Sequence, residues 1–464
     1  MLQYHLISLG CDMNHSDAER ISAVLDDIGF EEVASEEDAN LVIAVACSVR
    51  QTAIDKIHGF IHRWKKRQSC LSKTNDQEKK FVTVLTGCIL PKDKEVFQKQ
   101  FDIMFDIKEL PFFPEKLSLF FPEIKSKPMA IAEYLNITPK YKDPFRTYIP
   151  ISTGCNQFCT YCAVPYTRGR EISRPMEEII SEVQKRVEAG SKIITLLGQN
   201  VNSYGLDWER QKKYSSGIQN HFVELLQRVD EISGDFWVYF YSNHPKDVNE
   251  ELLEVVKNGK RLCKYLHLPF QAGNNEILQK MNRRYTKEEY LALVEKVYIT
   301  IPEITLTTDI IVGFPGETRE QFYETMEICE YARYDMAFVA KYSPRPGSWA
   351  MRNFADDVSW KEKKFREREV TNVIEKHVAE KNQKLFGKEL RVFVDTIDIA
   401  KKKIIGRTDG NKKMLFPFAE NVPFSRGQFI TATVQKTFAW ALEGNFISFC
   451  NSSLHTYDFE RSRY

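Results

Sequence analysis

The chain has 464 residues, with 65 Lys and Arg against 64 Asp and Glu for a formal net charge of +1, and 43% of its residues are hydrophobic. That length suggests about three domains of ~150 residues each. The charge balance excludes a globally basic nucleic-acid binder, so any such contact has to be local, and no apolar run approaches the ~18 residues that span a bilayer.

The opening stretch MLQYHLISLGC has no basic region followed by an apolar one, so no signal peptide is expected. Ten cysteines in such a chain point to a reducing, cytoplasmic setting, where thiols bind metal or do redox chemistry rather than form bridges. Three runs in the first segment, YHLISLGC, NLVIAVAC and FVTVLTGC, end at Cys11, Cys47 and Cys88. Each reads as a buried parallel strand. Helices are expected over 16–28, with Ser16 as N-cap, and over 49–67. The alternation predicts a small doubly wound parallel sheet within 1–130, whose ligands gather at the carboxyl ends of the strands. All three cysteines stand at that end. A buried thiol at a strand end explains any one of them alone.

The second segment, 145–383, runs through six strand–helix units. Its strands are YIPISTGC, KIITLLGQN, FWVYFYSNH, YLHLPFQAG, ITLTTDIIVGFPGE and MAFVAKYSPRPG, with helices over 176–189, 250–257 and 287–298 among them. Successive right-handed βα units predict a parallel barrel of six units rather than eight, partly open, with its site at the C-terminal strand ends. Gly198-Gln199-Asn200, Ser242-Asn243-His244, Gln271-Ala272-Gly273, Gly313 and the stretch 343–347 fall there.

The loop after the first of these strands, GCNQFCTYC, carries Cys155, Cys159 and Cys162. Structural zinc normally takes four protein ligands, so three sulfurs suit a metal centre with an open position, such as a 4Fe-4S cubane with one iron unliganded by protein. A zinc knuckle or a redox CxxC pair leaves the third cysteine unexplained. Arg168, Arg170 and Arg174 follow the loop, and each is open to two readings, a contact to phosphate or an ordinary salt bridge. Cys70, Cys263, Cys329 and Cys450 lack matched spacing and read as plain thiols.

The third segment, 384–450, predicts a small five-stranded β-barrel from short strands and turn residues. Residues 384–443 hold eleven Lys or Arg against six Asp or Glu, whereas residues 1–40 hold ten acidic residues and one arginine. The run Lys401-Lys402-Lys403 fits a solvated hairpin. With Arg407, Lys412 and Lys413 near it on a small barrel, it equally fits a nucleic-acid surface.

The CxxxCxxC loop after a first barrel strand resembles the radical S-adenosylmethionine enzymes. Across essentially the whole chain, GCDMNHSDAER, ACSVR, TGC, GCNQFCTYCAVPYTRGREISRP, LLGQNVNSYG, HPKD, HLPFQAG, DIIVGFPGET and YSPRPG resemble the methylthiotransferases of that superfamily. The resemblance implies two 4Fe-4S clusters. Cys155, Cys159 and Cys162 would hold one, whose open iron binds S-adenosylmethionine and cleaves it to a 5′-deoxyadenosyl radical; Cys11, Cys47 and Cys88 would hold a second, auxiliary one. Tyr161 is implied beside the adenine, and Gly198 and Gln199 beside the methionine and ribose. The last barrel is implied to be a TRAM module that binds RNA. YTRGREISRP and GQNVNSYG are most similar to the branch that adds a methylthio group at C2 of N6-isopentenyladenosine next to a tRNA anticodon. Sister branches act on threonylcarbamoyl-adenosine tRNA or on a ribosomal-protein aspartate. An electron donor such as flavodoxin or ferredoxin is implied, and a monomer with no membrane partner is expected. The rival class is a non-catalytic iron–sulfur redox sensor. The chain departs from the family pattern at Asp12 (usually Gln), Val45-Ala46 (usually Asn-Thr), Phe270 and Ala272 (usually HLPVQSG). These departures are expected beside the auxiliary cluster and the substrate face, where they bear on substrate choice.

Overall fold

Runs of Val, Ile, Leu and Ala with every side chain buried form strands that are covered on both faces. The computed structural model describes residues 2–47, 51–73, 80–124, 133–210, 220–417 and 423–450. The first sheet comprises β1 (Leu2–Leu9), β2 (Phe30–Glu32), β3 (Leu41–Cys47), β4 (Val82–Cys88) and β5 (Ile103–Met104). Its order is β2-β1-β3-β4-β5, parallel throughout. Alternate residues of β3 face opposite ways. Ile43 and Val45 pack with Ile21, Val24 and Leu25 of the helix Asp12–Asp27, while Val42, Ala44 and Ala46 pack with Ile54, Ile57 and Trp64 of the helix Gln51–Lys73. The strand order reverses between β1 and β3, the crevice where open α/β sheets hold ligands.

The first helix begins four residues before the expected Ser16. Cys11 is its N-cap, closed by a reciprocal pairing with Asn14. Ser16 lies within the helix instead, where its hydroxyl accepts from Arg20 Nη1 at 2.6 Å and donates toward the carbonyl of Tyr148. The second helix runs to Lys73, six residues past its expected end, and positions 49 and 50 lie outside the described residues.

All six strands expected in the central segment are present. β6 (Arg146–Pro150) is followed by the short antiparallel pair β7 (Ser152–Thr153) and β8 (Ile172–Ser173), which brackets the cysteine loop. β9 (Ile193–Leu197) and β10 (Trp237–Phe240) join β6 in one parallel ladder. β11 (Tyr265–His267), β12 (Thr305–Val312) and β13 (Met336–Lys341) form the other. A parallel bridge from Val238 to Leu262 connects the two ladders. The helices Met176–Glu188, Glu250–Asn258 and Lys287–Thr300 pack outside them.

The helix Trp360–Gln383 leads into the last barrel. β14 (Glu389–Asp398), β15 (Lys403–Thr408), β16 (Lys413–Pro417), β17 (Phe429–Thr437) and β18 (Leu442–Phe449) close in the order β14-β15-β16-β18-β17 around Val392, Val394, Ile404, Met414 and Ile430. This barrel packs on the N-terminal strand ends of the central segment. Phe393 and Phe429 share an apolar cluster with Ile193, Trp237, Tyr239 and Tyr265, and the Tyr239 hydroxyl donates to the carbonyl of Thr408 at 3.0 Å. Among the described residues no helix is long and apolar enough to cross a membrane.

Candidate functional site

The first triad follows from sheet topology. Cys47 and Cys88 are register partners at the ends of β3 and β4, and Cys11 caps the helix that leaves β1. Cys47 and Cys88 are buried and Cys11 is half-buried. Burial raises the Cys11 thiol, with backbone N–H donation from the Asn14 turn opposing it. The Cys47 hydrogen bond, then burial, push the Cys88 thiol well up, against the pull of Arg168. Asp12, Val45 and Ala46 adjoin Cys11 and Cys47, as expected, whereas Phe270 and Ala272 sit differently from expectation. Val45 and Ala46 are core residues of β3, and Phe270 is fully buried against Tyr290 and Tyr334, with Ala272 buried beside it. Phe270 and Ala272 are therefore packing changes, not part of a substrate face. Asp12 faces the barrel, where its charge reaches Tyr148 and Tyr241.

The second triad sits on a loop held from several sides. Asn282 Nδ2 donates to the carbonyls of Gln157 (3.2 Å) and Phe158 (2.9 Å), and Thr160 bonds back to Met281 and Lys280. This clamp fixes Phe158 at φ +52°, in the left-handed region. Each sulfur meets one N–H. Gln157 N donates to Cys155 at 3.5 Å, Val164 N to Cys162 at 3.4 Å, and Arg283 Nη1 to Cys159 at 3.5 Å. Donors of this kind tune cluster potentials. Burial pushes the Cys155 and Cys162 thiols up to about 11 and about 12. Among the described residues no three His, Cys, Asp or Glu side chains stand arranged around a single metal ion. The donor chemistry of each triad nevertheless fits thiolate-held iron: three sulfurs, close enough for their charges to interact.

The residues expected around S-adenosylmethionine lie close to this loop. Gln199 Oε1 accepts from the N–H of Gly154, next to Cys155. A Cβ at Gly198 would come within 2.9 Å of Ser152 Oγ, so glycine lets the chain pass close to β7 there. Tyr161 is half-buried against the barrel core, and burial raises its hydroxyl well up. Asn202 and His244 exchange side-chain and backbone bonds at 3.0 and 2.9 Å, tying the GQNVNSYG stretch to HPKD. Burial first, then Arg283, lowers His244 to about 2, so its ring is neutral.

Of the three arginines after the loop, two are buried in ion pairs. Arg168 is 2% exposed and pairs with the buried Asp17 at 2.6 Å; Arg174 is 5% exposed and pairs with Glu182 at 2.8 Å. Arg170 is exposed and lies over the Phe158 ring at 4.3 Å. Sequence reasoning missed the Asn282–Arg283 clamp, which lies more than a hundred residues from the cysteines with no motif spacing to join them. It also missed Asp17, whose only sequence signal was an acidic residue inside a helix.

Residues 149–329 match the model of the radical SAM superfamily, and residues 3–106 match that of the uncharacterized protein family UPF0004. The chain is 36% identical over 459 residues to the tRNA-2-methylthio-N(6)-dimethylallyladenosine synthase of Acetivibrio thermocellus, covering 96% of this chain and 91% of the relative. It is 38% identical over 459 residues to the enzyme of that name from Alkaliphilus oremlandii, covering 96% and 93%. Two solved structures share the fold at 12% identity and a TM-score of 0.51. One is the cobalamin-dependent S-adenosylmethionine radical enzyme OxsB, with 81% of this chain and 56% of that chain covered; the other is the radical S-adenosylmethionine methyltransferase TsrM from Kitasatospora setae, with 73% of each covered. The superfamily match implies a 4Fe-4S cluster and S-adenosylmethionine. With a parallel sheet and a partial parallel barrel each presenting a cysteine triad, and relatives above 35% identity along nearly its full length, the chain belongs to the family of tRNA-2-methylthio-N(6)-dimethylallyladenosine synthases within the radical SAM superfamily.

Proposed function

We propose that this chain is a tRNA methylthiotransferase that adds a methylthio group at C2 of N6-isopentenyladenosine beside the anticodon. It is organised as units 1–130, 145–383 and 384–450. The reading rests on one observation above the others: two cysteine triads, one at the strand ends of the first sheet and one on the loop between β7 and β8, are joined through a single two-residue segment. Gly169 O accepts from Cys155 N at 3.1 Å, and Arg168 Nε donates to Cys88 Sγ at 2.9 Å. A lone radical centre needs no second triad, whereas thiolation of an unactivated C–H bond needs both a radical source and a carrier of sulfur.

When bound, the cofactors supply a carbon-centred radical and an activated methyl group. The protein supplies placement. Cys155, Cys159 and Cys162 hold the radical cluster; Cys11, Cys47 and Cys88 hold the auxiliary one. Tyr161, Gly198 and Gln199 shape the S-adenosylmethionine pocket. Gln199 fixes the backbone next to Cys155, and neutral His244 holds the strand ends without adding charge. Exposed Lys402, Lys403 and Lys413 on the last barrel, with Arg170 beside the cysteine loop, would meet tRNA phosphates. A low-potential donor of the flavodoxin or ferredoxin type would reduce the radical cluster, and the setting is cytoplasmic. Nucleoside mass spectrometry of tRNA from a deletion strain, with and without the gene restored, tests the reading. The 2-methylthio-N6-isopentenyl nucleoside should vanish and return. Loss of a threonylcarbamoyl-derived product instead would move the chain to the sister branch, and an unchanged tRNA would leave a redox sensor.

A further inference from the structure

Arg168, on the radical loop, reaches a sulfur of the other triad. It leaves the chain six residues after Cys162, yet its guanidinium is buried at the carboxyl ends of β3 and β4. Nε donates to Cys88 Sγ at 2.9 Å, Nη2 to Asp17 Oδ2 at 2.6 Å, and Nη1 to the Tyr134 hydroxyl at 3.3 Å. Tyr134 passes the chain on to Thr153 Oγ1 at 3.3 Å, on β7 just before the loop. Asp17 is fully buried, and its second oxygen has no hydrogen-bond partner among the described residues. A cation placed here therefore faces two groups that are anionic in the loaded protein, the thiolate and the carboxylate. Its neighbour Gly169 bonds Cys155, and the loop closes so tightly that a Cβ on Gly154 would lie 2.1 Å from the carbonyl oxygen of Arg170. A shift of Arg168 is thus carried to both triads.

A surface role in gripping phosphate is closed to this residue by its burial. A purely structural salt bridge would need only Asp17, and would leave the bond to sulfur unexplained. We propose that Arg168 is a positioning residue for the auxiliary cluster: it donates a charge-assisted hydrogen bond to the Cys88 thiolate, stabilises the reduced form of that cluster, and fixes its place relative to the radical loop. The inference rests on the two-cluster reading above. Hydrogen bonds to cluster sulfurs raise reduction potentials, and charge-assisted ones are the strongest.

The test uses the full chain, reconstituted anaerobically, with Cys155, Cys159 and Cys162 replaced by alanine so that only auxiliary iron remains. Its midpoint potential is read by redox titration with electron paramagnetic resonance. Replacing Arg168→Gln in this background should lower the potential and change the spectrum, and Arg168→Lys, which keeps the charge but not the fork, should fall between. Because Arg168→Gln leaves Asp17 buried without its partner, the double variant Arg168→Gln/Asp17→Asn removes both charges together and should still load iron. It should show the same direction of shift as Arg168→Gln. Equal potentials and spectra in all loaded variants would overturn the proposal. Absence of iron from the parent background, with Arg168 intact, would instead overturn the two-cluster reading on which it stands.

Discussion

Asn282 stands at φ +57°, and its amide holds the carbonyls of Gln157 and Phe158 across the cysteine loop. The left-handed backbone at Phe158 costs roughly 1–2 kcal/mol for a non-glycine residue and persists because this clamp over-determines it. Replacing Asn282→Ala removes both bonds at once, a loss of about 1–3 kcal/mol from the loop. In a chain lacking Cys11, Cys47 and Cys88, the variant should retain less than the about four irons expected of one cluster and lose them faster under chelator. Full retention would mean that the loop is held by its sulfurs alone. The cysteines give a second prediction at this scale. The whole chain should take up about eight irons, and either triple alanine variant about four. Loss of Cys155, Cys159 and Cys162 should abolish release of 5′-deoxyadenosine, whereas loss of Cys11, Cys47 and Cys88 should stop thiolation and spare that cleavage. Unchanged iron in both would exclude the cysteines as ligands.

At the level of elements, the turn before β13 carries a buried charge that ties three pieces together. Asp335 accepts from Lys381 on the helix Trp360–Gln383 at 2.6 Å, from Lys412 between β15 and β16 at 2.7 Å, and from the N–H of Leu306 on β12 at 3.0 Å. Burial works to raise its carboxyl, but the two ammonium groups hold it below its ordinary value. A lowered folded pKa contributes stability that is present above the unfolded value, ~3.9, and is lost as pH falls through the folded one. The urea midpoint should therefore fall below about pH 4 more steeply in the parent than in Asp335→Asn. At neutral pH the variant should be weaker by about 3–5 kcal/mol, because two cations lose a buried partner. Matching midpoints across the pH range would show that the contact holds nothing. This lock was not legible in the sequence, since Asp335, Lys381 and Lys412 share no motif. What was legible depended on local pattern. Short runs rich in Val, Leu, Ile and Thr and ending in cysteine pointed to β3 and β4, because parallel strands need both faces covered. Boundaries were less secure. Ser16 looks like an N-cap by type, but Cys11 takes that place because Asn14 closes a reciprocal pair with it. The departures at Phe270 and Ala272 looked like site changes, and only packing against Tyr290 and Tyr334 shows that they fill a core.

Across the whole molecule, two groups stand out among the eleven basic residues of 384–443. Lys388, Arg391, Lys412 and Arg426 pair with Glu303, Asp235, Asp335 and Asp143 of the central segment, and Arg407 pairs with Asp395 inside its own barrel. These charges dock the last barrel onto the strand ends. Removing everything after Gln383 would therefore uncover Ile193, Trp237, Tyr239 and Tyr265, take their cations from Asp235 and Asp143 and leave Asp335 with Lys381 alone, so a truncated chain should aggregate rather than report on RNA. The second group, Lys402, Lys403 and Lys413, is exposed. Changing these three to glutamine leaves the docking pairs intact and is the cleaner test of the tRNA grip. Each phosphate left without its cation should flatten the plot of log affinity against log salt by roughly 0.7 to 0.9. Filter binding of anticodon stem-loops over a salt series should therefore show weaker binding at low salt and a shallower slope, converging with the parent at high salt. The same variant should load iron as the parent does, because all six cysteines of the two triads lie before residue 163. A slope equal to the parent's would place the tRNA phosphates elsewhere, with exposed Arg170 beside the cysteine loop the next cation to replace.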